Sequence, residues 1–388
     1  MNFDSIRCYN QDEIPVILEK LSNDKQFINV LSTLYPLLPK DHIRSKLVGF
    51  SNVKEFQTQM IYPYLQNIID TVTSGVDLNG TDLLKEGRSY LYISNHRDII
   101  LDSAFLCMKL LTVGRDTVEI AIGDNLFVYP WIEDLVRINK SFIVRRNVGA
   151  KQMLESSKLL SSYIAYTINE KNESIWIAQR EGRAKDSDDR TQESLLKMFN
   201  MGGTGTLSEN LTALHICPLS ISYEYDPCDY LKAKEFQLKR DNPDYVKSPA
   251  DDLINMKTGL FGYKGRVVYN LAGEISAEIT DLGLKINNRN ELIKSIATLI
   301  DSKIHANYHI FKVNMIAFDM INANKDFDAY YTLMDRLNFE KYLIKQIEKI
   351  DLENKDNDFL KIKILEMYAN PLKNSMQYRT NFEEVSKS

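Results

Sequence analysis

The chain has 388 residues, 44% of them hydrophobic, and a formal net charge of −5. That length exceeds one average domain and allows a large buried core. The acidic balance excludes a generic nucleic-acid binder, which needs a basic face, and no apolar run nears the ~20 residues of a membrane-spanning helix. Residues 1 to 85 read as a helical segment. Glu13–Leu21 opens a helix, Phe27–Tyr35 continues until Pro36 and Pro39 stop it, and a third helix covers Val53–Val72. Residues 86 to 285 alternate short apolar runs with helices, so an α/β domain with a central mixed sheet covered by helices is expected. Strands fit Tyr90–Ser94, Val118–Ile122, Phe142–Arg145, Ser174–Ala178, Ile216–Tyr223 and Arg266–Leu271. Met153, Ser157, Leu160, Ile164 and Ile168 make one helical stripe, read as core. Gly202-Gly203-Thr204-Gly205-Thr206 lacks the lysine of a phosphate loop and reads as a flexible loop. Residues 232 to 258, polar and holding Pro243 and Pro249, read as a surface excursion. Residues 286 to 388 form a helical C-terminal extension, with helices over Glu291–Asn307, Phe311–Met320, Tyr330–Ile350 and Phe359–Tyr368 and a charged linker at 351 to 358.

Chemistry concentrates where the first predicted strand ends, at Ser94-Asn95-His96-Arg97-Asp98-Ile99-Ile100-Leu101-Asp102. A histidine at a strand end with two carboxylates nearby suits a general base and its orienting partner. The plainer reading is Asp98 as the cap of the following helix and His96 as a loop histidine. Basic residues cluster at Lys140, Arg145, Arg146 and Lys151, and again at Arg180, Arg183, Lys185 and Arg190. Such clusters are ordinarily solvated faces; beside a reactive site they suit an anionic substrate. Cys8, Cys107, Cys217 and Cys228 show neither metal-like spacing nor a disulfide framework, so buried thiols are expected. Histidine and aspartate positions do not reach metal-ligand spacing, and no metal is expected. Met1-Asn2-Phe3-Asp4-Ser5 lacks the regions of a signal peptide, which points to a cytoplasmic protein.

Four stretches in order resemble the motifs of the glycerolipid acyltransferase family, whose bacterial members acylate glycerol 3-phosphate or lysophosphatidate. The first motif is Asn-His, four variable residues, then Asp; here five residues separate His96 from Asp102, and Ser103-Ala104-Phe105-Leu106 continues as the family's helix does. Ser141-Phe142-Ile143-Val144-Arg145-Arg146 resembles the second motif. Arg180-Glu181-Gly182-Arg183-Ala184-Lys185 resembles the third, usually Pro-Glu-Gly-Thr-Arg, with Arg180 in the proline's place and Arg183 one position early. The run Ile216 to Tyr225, with Pro218 opening a strand, resembles the fourth.

The resemblance implies acyl transfer from a thioester to the hydroxyl of a glycerol phosphate or lysophospholipid in phospholipid synthesis, with acyl-CoA or acyl carrier protein as donor and no cofactor. His96 is then the base and Asp102 its orienter, with Asp98 as competitor. Arg145 and Arg183 grip the acceptor's phosphate with Arg146, Arg180 and Lys185 in support, because the planar guanidinium pairs bidentately with phosphate oxygens. Glu181 holds an arginine or an acceptor hydroxyl, and Gly182 allows close backbone approach. Tyr223 and Glu224 are further candidates at the site's edge. No covalent acyl-enzyme is implied, and no Gly-x-Ser-x-Gly elbow is present. Peripheral attachment at the inner face of the cell membrane is expected, through the N-terminal helical region. Two other readings stand beside this one: an acylated amino acid bearing a hydroxyl as acceptor, and a non-catalytic lipid-binding relative.

Overall fold

The computed structural model describes residues 1–146 and 149–379. Seven strands form one mixed sheet: β1 (Gly75–Asn79), β2 (Leu91–Ser94), β3 (Glu119–Gly123), β4 (Ser141–Val144), β5 (Ile175–Ala178), β6 (Ile216–Tyr223) and β7 (Arg266–Leu271). Their order is β1-β7-β6-β2-β5-β3-β4, and every pair is parallel except β6–β7. Strand β2 lies in the middle and is buried on both faces, as its run of Leu91-Tyr92-Ile93 requires. Leu91 and Ile93 join Ile164, Ile175 and Ile300 in one core, while Tyr92 joins Phe105, Trp176 and Tyr269 in another across the sheet. The protein is therefore α/β, with helices on both faces of a mixed sheet.

Several elements depart from the sequence expectation. β1 lies inside the span read as helical: Gly75-Val76-Asp77-Leu78-Asn79 is a half-exposed edge strand, so it needs little apolar content. Pro218 does not open β6 but sits third in it. Its carbonyl accepts from the Ala272 backbone N–H (2.9 Å), yet it has no N–H to return, so pairing with β7 stops at Leu271. The polar excursion folds into helices Asp229–Asp241 and Pro249–Phe261, and a further helix covers Ser276–Lys285. Pro249 starts its helix rather than breaking a chain: it follows Ser248, whose side chain accepts from the Asp251 N–H. The helix at Val53–Val72 is continuous, with a π turn at Gln57–Ile61 just before Pro63, whose ring removes a regular helical hydrogen bond.

Near the N-terminus, Ile14–Asn23, Lys25–Leu34 and Lys40–Val48 pack around Leu18, Phe27, Ile43 and Leu47. The C-terminal helices Arg289–Ala306, Lys312–Asn322, Leu333–Glu348 and Asn357–Ser375 cover the sheet, Val268 of β7 sharing a cluster with Ile316, Phe339 and Ile364. Asp229 is buried there beneath Tyr342 (2.6 Å) and Tyr368 (2.9 Å), and burial pushes its carboxyl up to about 7.

Candidate active site

The loop after β2 is fixed from both sides. Asn95 is fully buried and continues the ladder with its side chain: Nδ2 donates to the Ile221 carbonyl (2.8 Å), and Oδ1 accepts from the Ile221 N–H (2.8 Å). On the other side the Gln179 N–H, just past β5, donates to the Ser94 carbonyl (2.8 Å). His96 follows at the carboxyl end of the central strand, where crossovers in open α/β sheets leave a crevice.

Asp102 lies in the first turn of helix Leu101–Thr112 and is completely buried. Its Oδ2 stands 2.8 Å from His96 Nδ1 and accepts the backbone N–H groups of Arg97 (2.6 Å) and Asp98 (3.1 Å). Asp98 points elsewhere. Its Oδ1 accepts from the Ile100 (2.9 Å) and Leu101 (2.8 Å) N–H groups, a side-chain-capped turn that takes up the extra residue between His96 and Asp102. Of the two aspartates, Asp102 is thus the one that touches the imidazole. With Nδ1 donating to Asp102, Nε2 is the unprotonated nitrogen of the neutral ring. The ring is 16% exposed and stands edge-on to Trp176 (centroids 5.6 Å apart), whose indole N–H donates to Ser94 Oγ (3.0 Å).

The arginines divide. Arg183 reaches the His96 loop: one terminal nitrogen donates to Asn255 Oδ1 (3.2 Å), while Nη1 is buried without a partner. Burial, with Asp102 beside it, pushes the Asp98 carboxyl above the usual carboxylate range, and Arg183 pulls it back. Gly182 has φ +66°, a left-handed conformation that glycine alone adopts freely. Arg146 lies between the second and third motifs, its Nη1 3.4 Å from Glu181 Oε1; Glu181 is largely exposed and holds this arginine. Arg145 is not brought to His96. It belongs to the end of the edge strand β4, three strand spacings or roughly 14 Å from β2, and is tied to the Ser5 carbonyl (3.2 Å) and Asp124 (3.6 Å). Lys185 is paired with Glu235. Tyr223 is buried against Asp102, and burial holds its phenol well above the ordinary range. Glu224 turns away to accept the Arg266 N–H (3.0 Å).

Sequence reasoning missed three contributors. Helix Pro249–Phe261 roofs the loop: Gly259 lies against Asp98 Oδ2 so closely that any side chain there would collide. Lys264 is fully buried and donates to the Gly262 carbonyl (2.6 Å), and burial lowers its ammonium to about 8. Arg97, inside the first motif, pairs with the buried Asp189 (2.6 Å). Neither the roof nor this pair has a local pattern, since each joins segments distant in sequence. A cavity of about 650 Å³ opens at the opposite, amino-terminal ends of β2 and β5, lined by Tyr92, Arg115, Lys140 and Ser174 among others, away from His96. Among the described residues no group of three or more His, Cys, Asp or Glu side chains has metal-binding geometry.

A buried carboxylate holding an imidazole at the carboxyl edge of a mixed sheet, with an arginine alongside, is an arrangement chemically able to take a proton from a hydroxyl. Residues 75–222 match the model of the family described as Acyltransferase. His96, Asp102, Arg145, Arg146, Glu181, Gly182 and Arg183 all fall within the match. A solved structure similar to this one is the 1-acyl-sn-glycerophosphate (LPA) acyltransferase PlsC from Thermotoga maritima, at 11% identity and a TM-score of 0.36, over 77% of this chain and 99% of that one. No curated protein matches the chain.

Proposed function

We propose that the protein is an O-acyltransferase of glycerolipid synthesis. In this reading it moves a fatty acyl group from an acyl thioester, of coenzyme A or of acyl carrier protein, to the hydroxyl of a glycerol phosphate or lysophospholipid. The observation that carries the reading is the 2.8 Å contact between His96 Nδ1 and the buried Asp102 inside the acyltransferase segment. His96 Nε2 takes the proton of the acceptor hydroxyl as its oxygen attacks the thioester carbonyl. Asp102 stabilises the imidazolium so formed. Collapse of the tetrahedral adduct breaks the carbon–sulfur bond, and the departing thiolate takes the proton from His96, leaving ester and thiol. Arg183, with Arg146 behind it, holds the acceptor's phosphate. Arg145 serves at the rim, where a headgroup or the donor's phosphates lie farther from the reacting atoms. Among the described residues no helix is long and apolar enough to cross a membrane, which fits work at a membrane surface as a peripheral protein.

The test is purified protein offered palmitoyl-CoA or palmitoyl carrier protein with glycerol 3-phosphate, lysophosphatidate or a hydroxyacylated amino acid, with products read by mass spectrometry. The expected result is a new ester on a phosphorylated acceptor, and a KM for that acceptor raised at least tenfold in Arg183→Ala with the donor KM unchanged. Ester formation only on the amino-acid lipid would transfer the assignment to aminolipid synthesis, and no ester on any acceptor would overturn it.

A further inference from the structure

The C-terminal helices lie beyond the acyltransferase segment, yet they converge on one loop beside the site. After β5 the chain runs through Arg183 and then to Thr191, and nearly every residue of its second half is held by a C-terminal helix. From helix Asn357–Ser375, Asn370 Nδ2 donates to the Asp186 carbonyl (2.8 Å), and Asn374 bridges Asp188 and Arg190 at 3.0 Å each. From helix Arg289–Ala306, Asp301 Oδ1 accepts both the Thr191 N–H (2.8 Å) and its hydroxyl (2.6 Å). His305 of the same helix stands with Nε2 2.9 Å from the Asp189 carbonyl. Burial lowers His305 to about 4, so the ring is neutral at pH 7 and its Nε2–H donates.

Clamped in this way, Asp189 directs its carboxylate inward, where it is fully buried with Oδ2 2.6 Å from Arg97 Nη1. The Arg97 guanidinium also lies over the ring of Tyr308, 5.9 Å from its centroid, at the end of helix Arg289–Ala306. The Arg97 backbone N–H in turn donates to the same Asp102 oxygen that meets His96. A surface ion pair would matter little here; a buried one has a fixed geometry and is costly to break.

We infer that the C-terminal helices position the catalytic histidine, with Asp189 and Arg97 as the positioning residues that transmit their hold to Asp102. This rests on the reading of His96 as the base. The extension is then part of the catalytic apparatus: it fixes the angle at which Asp102 receives the imidazole.

The experiment uses the full chain. His305→Phe keeps the ring's shape and removes the donor to Asp189, while His305→Gln restores a donor; Asn374→Leu, which removes the contacts to Asp188 and Arg190, stands in should His305→Phe fail to fold. Two readouts are taken: kcat against KM for the thioester, and the NMR titration of the His96 imidazole without substrate. Expected are a kcat at least fivefold lower with thioester KM unchanged and a His96 pKa lowered by half a unit or more in His305→Phe, with both restored in His305→Gln. Arg97→Lys and Asp189→Asn each lower kcat at least tenfold, and the double variant is no slower than the slower single one. Variants that melt earlier but keep kcat and the His96 titration would overturn the inference and leave a purely structural clamp. Should the wild type esterify no acceptor, the functional reading falls, and the titration still decides whether the helices position the ring.

Discussion

His96→Ala is expected to lower acyl transfer by ~10²- to 10⁴-fold, the usual contribution of a positioned general base, with unchanged circular dichroism. The fold should tolerate the change because Asp102 Oδ2 still receives the Arg97 and Asp98 N–H groups, and because Asn95 anchors the loop to β6 independently of the ring. The measurement is thiol release from a palmitoyl thioester in the presence of the phosphorylated acceptor. Binding should survive, since Arg183 and the roof at Gly259 are untouched, so the loss falls on kcat rather than on KM. A rate within threefold of wild type would remove His96 from the chemistry.

Asp102→Asn ranks next, with an expected loss on the order of 10³-fold. The amide has nearly the carboxylate's shape. Its oxygen, in the Oδ2 position, can keep the Arg97 and Asp98 N–H groups and the His96 Nδ1–H, which all meet that one oxygen in the wild type. What the amide removes is the negative charge that stabilises the imidazolium formed when the ring takes the acceptor's proton. Asp98→Asn provides the contrast: asparagine caps the Ile100 and Leu101 N–H groups about as well as aspartate, so activity should fall by no more than about fivefold. Steady-state rates of the two variants separate the aspartates. The opposite ranking would give Asp98 the role assigned here to Asp102.

What the sequence revealed and what it hid have physical reasons. β2, β6 and β7 were legible because buried strands must be nearly all apolar, whereas β1, half exposed at the sheet edge, is marked by little more than Val76 and Leu78. Helix Asp229–Asp241 was hidden because its buried polar residues are satisfied by partners outside the helix, Lys232 by the nearby Asp226 and Asp229 by the distant Tyr342 and Tyr368. The His96–Asp102 contact was legible because both residues flank one short loop at a strand end. Arg145 was expected near the acceptor because motif order suggests proximity. Strand order sets it apart from His96, since β5 and β3 lie between β2 and β4. The Arg97–Asp189 pair and the Gly259 roof depend on tertiary packing alone.

The most direct measurement follows thiol release and intact protein mass after mixing the wild-type protein with palmitoyl-CoA, first without and then with the phosphorylated acceptor. Direct transfer through His96 predicts no stoichiometric burst of thiol and no gain in protein mass until acceptor is added, then thiol and ester in equal amounts. A one-equivalent burst with a palmitoyl mass on the protein, in the absence of acceptor, would contradict the account.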